Sequence, residues 1–447
     1  MTQEWTPDSW RRFPALQQPT YPDPEALRQA LTELAGLPPL VTSWEIAALR
    51  DQFAHASAGG CFVLQGGDCA ERFADCSSPR ITNQLKILIQ MSLVLVQGSR
   101  KPVVRIGRFA GQYAKPRSSD FEMVNGVKLA SYRGDLINRN EPTEAARTPD
   151  PALLVSGYQH AALTLNFIRA LVKGGFADLH HPEYWNLSWT RHSAQAEEYQ
   201  RLLRSITDSL CFMENILGTA AGGSDRIDFF TSHEALHLGY EQAQTRQVPH
   251  RPGWFNLSTH FPWVGIRTAA LDGAHVEYLR GIANPIGVKV GVPTTPDELV
   301  RLTEVLNPSN EPGRVVLIHR FGAEKIAAGL VPLVRAIRQA GRSVLWMCDP
   351  MHGNTRSTAS GLKTRRFNEI ESELSQAFDI HAAEGSLLGG IHIELTGENV
   401  TECTGGARGL RDGDLEQGYE SEVDPRLNYE QSLELALLVA RKMAGAS

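Results

Sequence analysis

VLWMCDPMHGNT, residues 344–355, is an apolar run that stops abruptly in an acid, a proline and an imidazole, then breaks into glycine and asparagine. A strand covered on both faces reads as continuous apolar residues rather than as alternation. Polar side chains gathered at its carboxyl end are what a ligand bound above a parallel sheet requires. The pattern recurs along the chain. Strand-length apolar runs stand at 61–65 (CFVLQ), 102–107 (PVVRIG), 228–233 (DFFTSH), 254–261 (WFNLSTHF), 285–291 (PIGVKVG), 314–320 (RVVLIHR), 343–349 (SVLWMCD) and 389–396 (GGIHIELT). Helical patterns lie between or after most of them. Residues 152–172 place Leu154, Tyr158, Ala161, Leu165, Ile168 and Val172 on one face. TPDELVRLTEVL (295–306) opens on a Thr or Asp cap, AEKIAAGLVPLVRAIRQAG (323–341) ends in Gly, and QSLELALLVARKMAG (431–445) supplies a last helix.

Eight alternating units predict an α/β chain folded as a closed (β/α)8 TIM barrel. The alternative, an open doubly wound sheet, lacks the GxGxxG expected after its first strand. Residues 1–58 read as an N-terminal helical extension, with EALRQALTELAGL and SWEIAALRDQFAHA as its helices; 59–447 form the barrel. A helical insertion follows the second helix at about 174–227, including HSAQAEEYQRLLRSITDSLCFMENIL. Long inserts of this kind are lids, binding loops or contact elements.

Bulk properties narrow the function. The 447 residues are 42% hydrophobic and carry a net charge of −6, with no basic footprint for nucleic acid. No apolar run reaches the roughly 18 residues of a membrane span, and the N-terminus lacks the apolar stretch of a secretory signal. Six cysteines, at 61, 69, 76, 211, 348 and 403, form no CxxC pair. A reduced, cytoplasmic protein with small-molecule partners is expected.

In a barrel, functional groups sit where strands end. Read in order, these are Asp68, Cys69 and Glu71; Arg108, then Lys115, Arg117 and Ser118; Ser232, His233 and Glu234; Trp263 and Arg267; Lys289; His319 and Arg320; Asp349 and His352; His392 and Glu394. Taken singly, most have an ordinary reading: a surface Arg is solvated, a lone Cys is a buried thiol, a lone His is a bonded core residue. Lys289 and Glu394 are different, because each interrupts an apolar strand with no wet face. An unpaired charge there costs several kcal/mol. Arg108, Lys115, Arg267, Lys289 and Arg320 together carry too much positive charge for a neutral ligand and suit phosphates plus a carboxylate. Cys69, His352 and Glu394 make a mixed S/N/O set that suits a divalent transition metal.

These motifs carry a resemblance. LQGGDCAE, KPVVRIGRFAGQYAKPRSS, TSHEAL, DGAHVEYLRGIANPIGVKVG, CDPMHGNT, GGIHIELTGENVTECTGG and DPRLN, spread over residues 61 to 445, resemble the class II (plant-type) 3-deoxy-D-arabino-heptulosonate 7-phosphate synthases, which open the shikimate pathway. The resemblance implies a metal-dependent aldol-type condensation of phosphoenolpyruvate with erythrose 4-phosphate and water. It places the metal ligands on Cys69, His352, Glu394 and Asp424, the last not singled out by the residues alone. Mn²⁺ or Co²⁺ is the expected ion, with Zn²⁺ or Cd²⁺ as alternatives. Phosphoenolpyruvate contacts fall on Arg108, Arg267, Lys289 and Arg320. Lys115 lies between the substrates, Arg117 and Ser118 hold the aldose phosphate, and Glu234 and Trp263 position the attacking water. A homodimer or larger homo-oligomer is implied as well. There are departures: Gly265-Ile266-Arg267-Thr268 stands where the family usually has GERT, and Val423 replaces a cysteine found in some members. Ile266 keeps open an amino or other aldose phosphate as substrate, and a non-catalytic metabolite-binding homologue is the remaining alternative.

Overall fold

The computed structural model describes residues 4–124, 126–174, 201 and 228–445. The helical pattern expected at 192–217 lies outside them, apart from Arg201. Eight parallel strands close a barrel: β1 (Phe62–Gly67), β2 (Val103–Arg108), β3 (Phe229–Glu234), β4 (Phe261–Val264), β5 (Ile286–Val290), β6 (Val315–His319), β7 (Leu345–Cys348) and β8 (Leu388–Glu394). They follow one another in chain order around the ring. β8 closes on β1, with Gly67 opposite Glu394, while Gly67 also faces Arg108 of β2. That meeting point needs a glycine. Gly67 has a φ of 146°, and a Cβ there would lie 2.8 Å from the Arg108 carbonyl oxygen.

Helices surround the ring: α1 (Pro24–Gly36), α2 (Ser43–Ser57), α3 (Ser78–Ser99), α4 (Ala152–Lys173), α5 (Ala274–Gly281), α6 (Pro296–Leu306), α7 (Ile326–Gln339), α8 (Phe367–Ala383) and α9 (Tyr429–Gly445). Inward residues of the strands' amino halves, among them Val63, Val104, Phe230, Phe261, Val316 and Leu345, pack with Leu49, Phe53 and Ala56 of α2. This helix therefore floors the barrel. Thr42 and Glu45 start it with reciprocal capping bonds. With that end packed dry, charged groups can gather only at the carboxyl ends.

One strand is displaced from its sequence reading. The run 254–261 was expected to supply the fourth barrel strand. Instead Arg251–Asn256 pairs antiparallel with Thr245–Val248 outside the ring, and the barrel strand is Phe261–Val264. The polar block Asn256–His260 makes the break. Asn256 N–H donates to Asn284 Oδ1 (2.9 Å), and Asn284 Nδ2 donates back to the carbonyls of Asn256 (2.9 Å) and Thr259 (3.1 Å). Backbone groups so satisfied have none left for a ladder.

Candidate active site

The strand ends converge on one cavity of about 560 Å³, lined by Cys69, Arg108, Lys115, Glu234, Trp263, Arg267, Lys289, Arg320, His352 and Asp424, with Gln112, Ile266 and His392 among the rest of its wall. It adjoins an outer space of about 930 Å³ that adds Arg117, Ser118, Thr355 and Lys363. Lys115, Arg267, Arg320, His352 and Asp424 border both. Every residue given a role by the family resemblance lines one or both spaces, except Glu394, which is fully buried; of the other strand-end residues His392 lines the inner space, while Asp68, Glu71, Ser232, His233, His319 and Asp349 line neither.

Donor atoms of Cys69, His352, Glu394 and Asp424 all lie within 4.8 Å of one another. His352 Nε2 is 3.0 Å from Glu394 Oε1, and Cys69 Sγ is 3.6 Å from Asp424 Oδ2. Together they offer one sulfur, one ring nitrogen and two carboxylates within that span. The set therefore fits a divalent ion with mixed S/N/O preference. Asp349 orients the imidazole by accepting from Nδ1 at 2.7 Å, which turns Nε2 toward the cage. The Lys115 ammonium reaches the same group, 3.1 Å from Cys69 Sγ and 2.8 Å from Asp424 Oδ2.

The sequence matches the Class-II DAHP synthetase family over residues 5–440. Three curated relatives carry the name phospho-2-dehydro-3-deoxyheptonate aldolase. That of Neurospora crassa is 48% identical over 98% of this chain and 94% of its own length. The Streptomyces coelicolor protein is 47% identical over 97% and 96%, and the Mycolicibacterium smegmatis protein 45% identical over 98% and 94%. The chain belongs to the class-II DAHP synthetase family.

Within this family member, the cations are held by a buried relay that the sequence only partly announced. Arg108 Nη1 donates to His392 Nε2 (2.7 Å), so His392 carries its proton on Nδ1 and donates it to Gln65 Oε1 (2.7 Å). Gln65 Nε2 donates to Ser232 Oγ (2.9 Å), which donates to the Gly107 carbonyl (3.1 Å). Burial, with Lys289 and Arg108 beside it, keeps the His392 imidazole well below its usual pKa and hence neutral. The Arg108 guanidinium lies 5.4 Å from the Trp263 ring centre. Glu71 shapes the next loop: its carboxylate accepts the N–H groups of Ala110 (2.9 Å), Gly111 (2.9 Å) and Gln112 (2.7 Å).

Lys289 is not unpaired, as its sequence context alone implied; it forms a buried ion pair with Asp349. Burial pushes its ammonium down to about 8; Asp349 opposes this, while Arg108 and Arg320 add to it. Burial likewise opposes ionisation of Glu394, yet His352, Arg365 and Arg108 hold it well below the usual carboxylate range. Burial raises the Glu234 carboxyl against the pull of Lys289, His352 and Arg267, and its Oε1 has no hydrogen-bond partner among the described residues.

Two residues escaped the sequence reading. Arg365 is fully buried and donates from Nη2 to Glu394 Oε2 at 2.6 Å. Lys363 donates to Asp424 Oδ1 at 2.8 Å. Both sit in GLKTRRF, a basic run that reads as solvated surface, and no local signal separates them from it. Gly353 is required by a close approach. A Cβ there would meet Gly322 N at 2.2 Å, so the glycine lets the His352 loop press against the turn after β6.

Proposed function

We propose that this chain condenses phosphoenolpyruvate with erythrose 4-phosphate and water, giving 3-deoxy-D-arabino-heptulosonate 7-phosphate and inorganic phosphate. The observation that carries this reading is one cationic cavity opening onto a second phosphate-sized space, with a four-donor cage at their junction. Phosphoenolpyruvate occupies the inner cavity, its phosphate and carboxylate shared among Arg108, Arg267, Lys289 and Arg320. The aldose phosphate lies in the outer space against Arg117 and Ser118, with its aldehyde toward Lys115. A divalent ion held by Cys69, His352, Glu394 and Asp424 would polarise the aldehyde carbonyl.

Carbon 3 of the enol attacks the aldehyde carbon, and positive charge develops at carbon 2. Lys115, between the two spaces, supplies the proton to the new alkoxide. Water adds at carbon 2, placed by Glu234 and Trp263, and Glu234 Oε1, without a hydrogen-bond partner among the described residues, takes the water's proton. Phosphate then leaves by C–O cleavage, its charge met by the surrounding cations. Fixed cations in a closed cavity act mainly through proximity and electrostatic preorganisation.

Ile266 is the one observation that favours a different aldose. It lines the inner cavity, however, beside the enolpyruvate cations, and not the outer space that holds the aldose phosphate. The erythrose reading is therefore preferred. The test is to incubate the protein with phosphoenolpyruvate, Mn²⁺ or Co²⁺, and erythrose 4-phosphate or an amino analogue, following loss of enol absorbance. Turnover with erythrose 4-phosphate that stops on chelation is expected. Binding of both substrates without turnover would instead establish a metabolite-binding homologue.

A further inference from the structure

A second set of metal-type donors lies behind the barrel wall, away from both cavities. His319 at the end of β6 and Cys348 at the end of β7 are register partners. Their side chains alternate with the inward Ile318 and Met347 and so face outward, where Glu373 of α8 meets them. One donor atom from each lies within 4.8 Å of the other two, and all three residues are fully buried.

The surroundings leave the histidine of this set unsatisfied. Neither ring nitrogen of His319 has a hydrogen-bond partner among the described residues. His381, on α8, has its ring centre 5.6 Å from that of His319, and its Nε2 is also without a partner. Leaving such a group dry costs about 1–3 kcal/mol, and the neighbouring ring of Trp346 offers no acceptor. Glu373 accepts from Phe321 N–H (2.8 Å) on one oxygen and from Asn354 Nδ2 (2.8 Å) on the other. Each oxygen keeps a lone pair, and the two bonds already fix the carboxylate's direction, as outer partners do around a bound ion.

We propose that His319, Cys348 and Glu373 form a second, structural site for a thiophilic divalent cation, Zn²⁺ in the first instance, with His381 the nearest further donor. One thiolate and one carboxylate balance the ion's two charges, so the filled site is neutral inside an apolar layer. Binding releases the Cys348 proton to solvent. With no face open to a substrate, the site serves structure and not chemistry. It would tie β6, β7 and α8 together directly behind Asp349 and the His352 loop. This does not rest on the substrates proposed above.

The test uses the full-length Cys69→Ser protein, which lacks the thiolate of the rim cage. It is produced with Zn²⁺ in the medium, exposed to EDTA and gel-filtered. About one zinc per chain should survive, and its X-ray absorption should show one sulfur at about 2.3 Å. Adding His319→Gln should cut the retained zinc at least tenfold. A zinc-free Cys69→Ser protein, a shell of nitrogen and oxygen only, or full retention after His319→Gln would each overturn the proposal, leaving an internal water as the partner of His319.

Discussion

Glu394 and Glu373 are both fully buried, on opposite faces of the same barrel wall, and they are held in opposite ways. Glu394 is surrounded by charge: Arg365 Nη2 at 2.6 Å, Arg108 Nη2 at 3.2 Å and His352 Nε2 at 3.0 Å. Glu373 is met by dipoles, the backbone N–H groups of Phe321 and Gly322 and the Asn354 amide, and burial pushes its carboxyl up to about 7. Burial alone thus does not set a carboxylate's state; the company it is buried with does. The rim of the barrel is built from mutually supporting charges that a substrate can join. The layer behind it is built from neutral bonds that a change in protonation can disturb.

The contrast breaks most severely where a rim charge loses its partner. Lys289→Met leaves Asp349 buried with only His352 and the N–H groups of Met351 (3.0 Å) and His352 (3.2 Å). Stranding that charge should destabilise the fold by about 3–5 kcal/mol. Losing a phosphate cation should lower kcat/KM by about 10²–10³. Urea unfolding and steady-state kinetics measure the two separately. Arg365→Leu comes next. Arg365 lines neither of the two spaces, yet it fixes Glu394, so metal affinity should fall about 10–100-fold. Titration of chelated protein with Mn²⁺ reads this without reference to turnover. Unchanged affinity would mean that Arg108 alone orients the carboxylate.

Those two residues also mark how far the sequence could be read. Seven of the eight barrel strands, and Lys289 as an anomaly within one of them, follow from continuous apolar runs that end in polar groups. The short fourth strand did not, because Asn256–His260 interrupts an otherwise apolar stretch and the side-chain bonds to Asn284 cannot be seen in one dimension. Arg365 and Asp424 stayed hidden for a related reason. Each reaches the cage from a loop after a strand, where a charged residue is indistinguishable from a solvated one until tertiary contacts bury it.

A smaller effect sharpens the contrast from the Glu373 side. In chelated protein, the folded chain keeps a proton on Glu373 that the unfolded chain releases near its ordinary value of 4.5. The folded state binds more protons between those limits, so stability falls as pH rises from about 4.5 to about 7, by about 3 kcal/mol across the window. Glu373→Gln should flatten that part of the urea-midpoint profile and leave the profile below pH 4.5 alone. A zinc ion on His319, Cys348 and Glu373 would abolish the same slope in the unmutated chain, which links the profile to the proposed site.

The mildest test lies at the outer space, where dipoles hold the backbone of a binding residue whose guanidinium pairs with Glu122. Gln17, in the N-terminal segment, accepts from Arg117 N–H through Oε1 (2.8 Å) and donates from Nε2 to the Arg117 carbonyl (3.0 Å). This pair of bonds fixes the loop that presents Arg117 and Ser118 while touching neither reacting carbon. Each neutral bond contributes about 0.5–1.5 kcal/mol. Gln17→Ala should therefore raise KM for the aldose phosphate by roughly 5- to 10-fold at nearly constant kcat, because uniform binding is what is lost. KM for phosphoenolpyruvate should change less, since Arg108 and Lys289 line only the inner cavity. An equal fall in kcat would show instead that the N-terminal segment helps set the geometry in which the two substrates meet, and that the outer space is coupled to the charged rim rather than simply adjoining it.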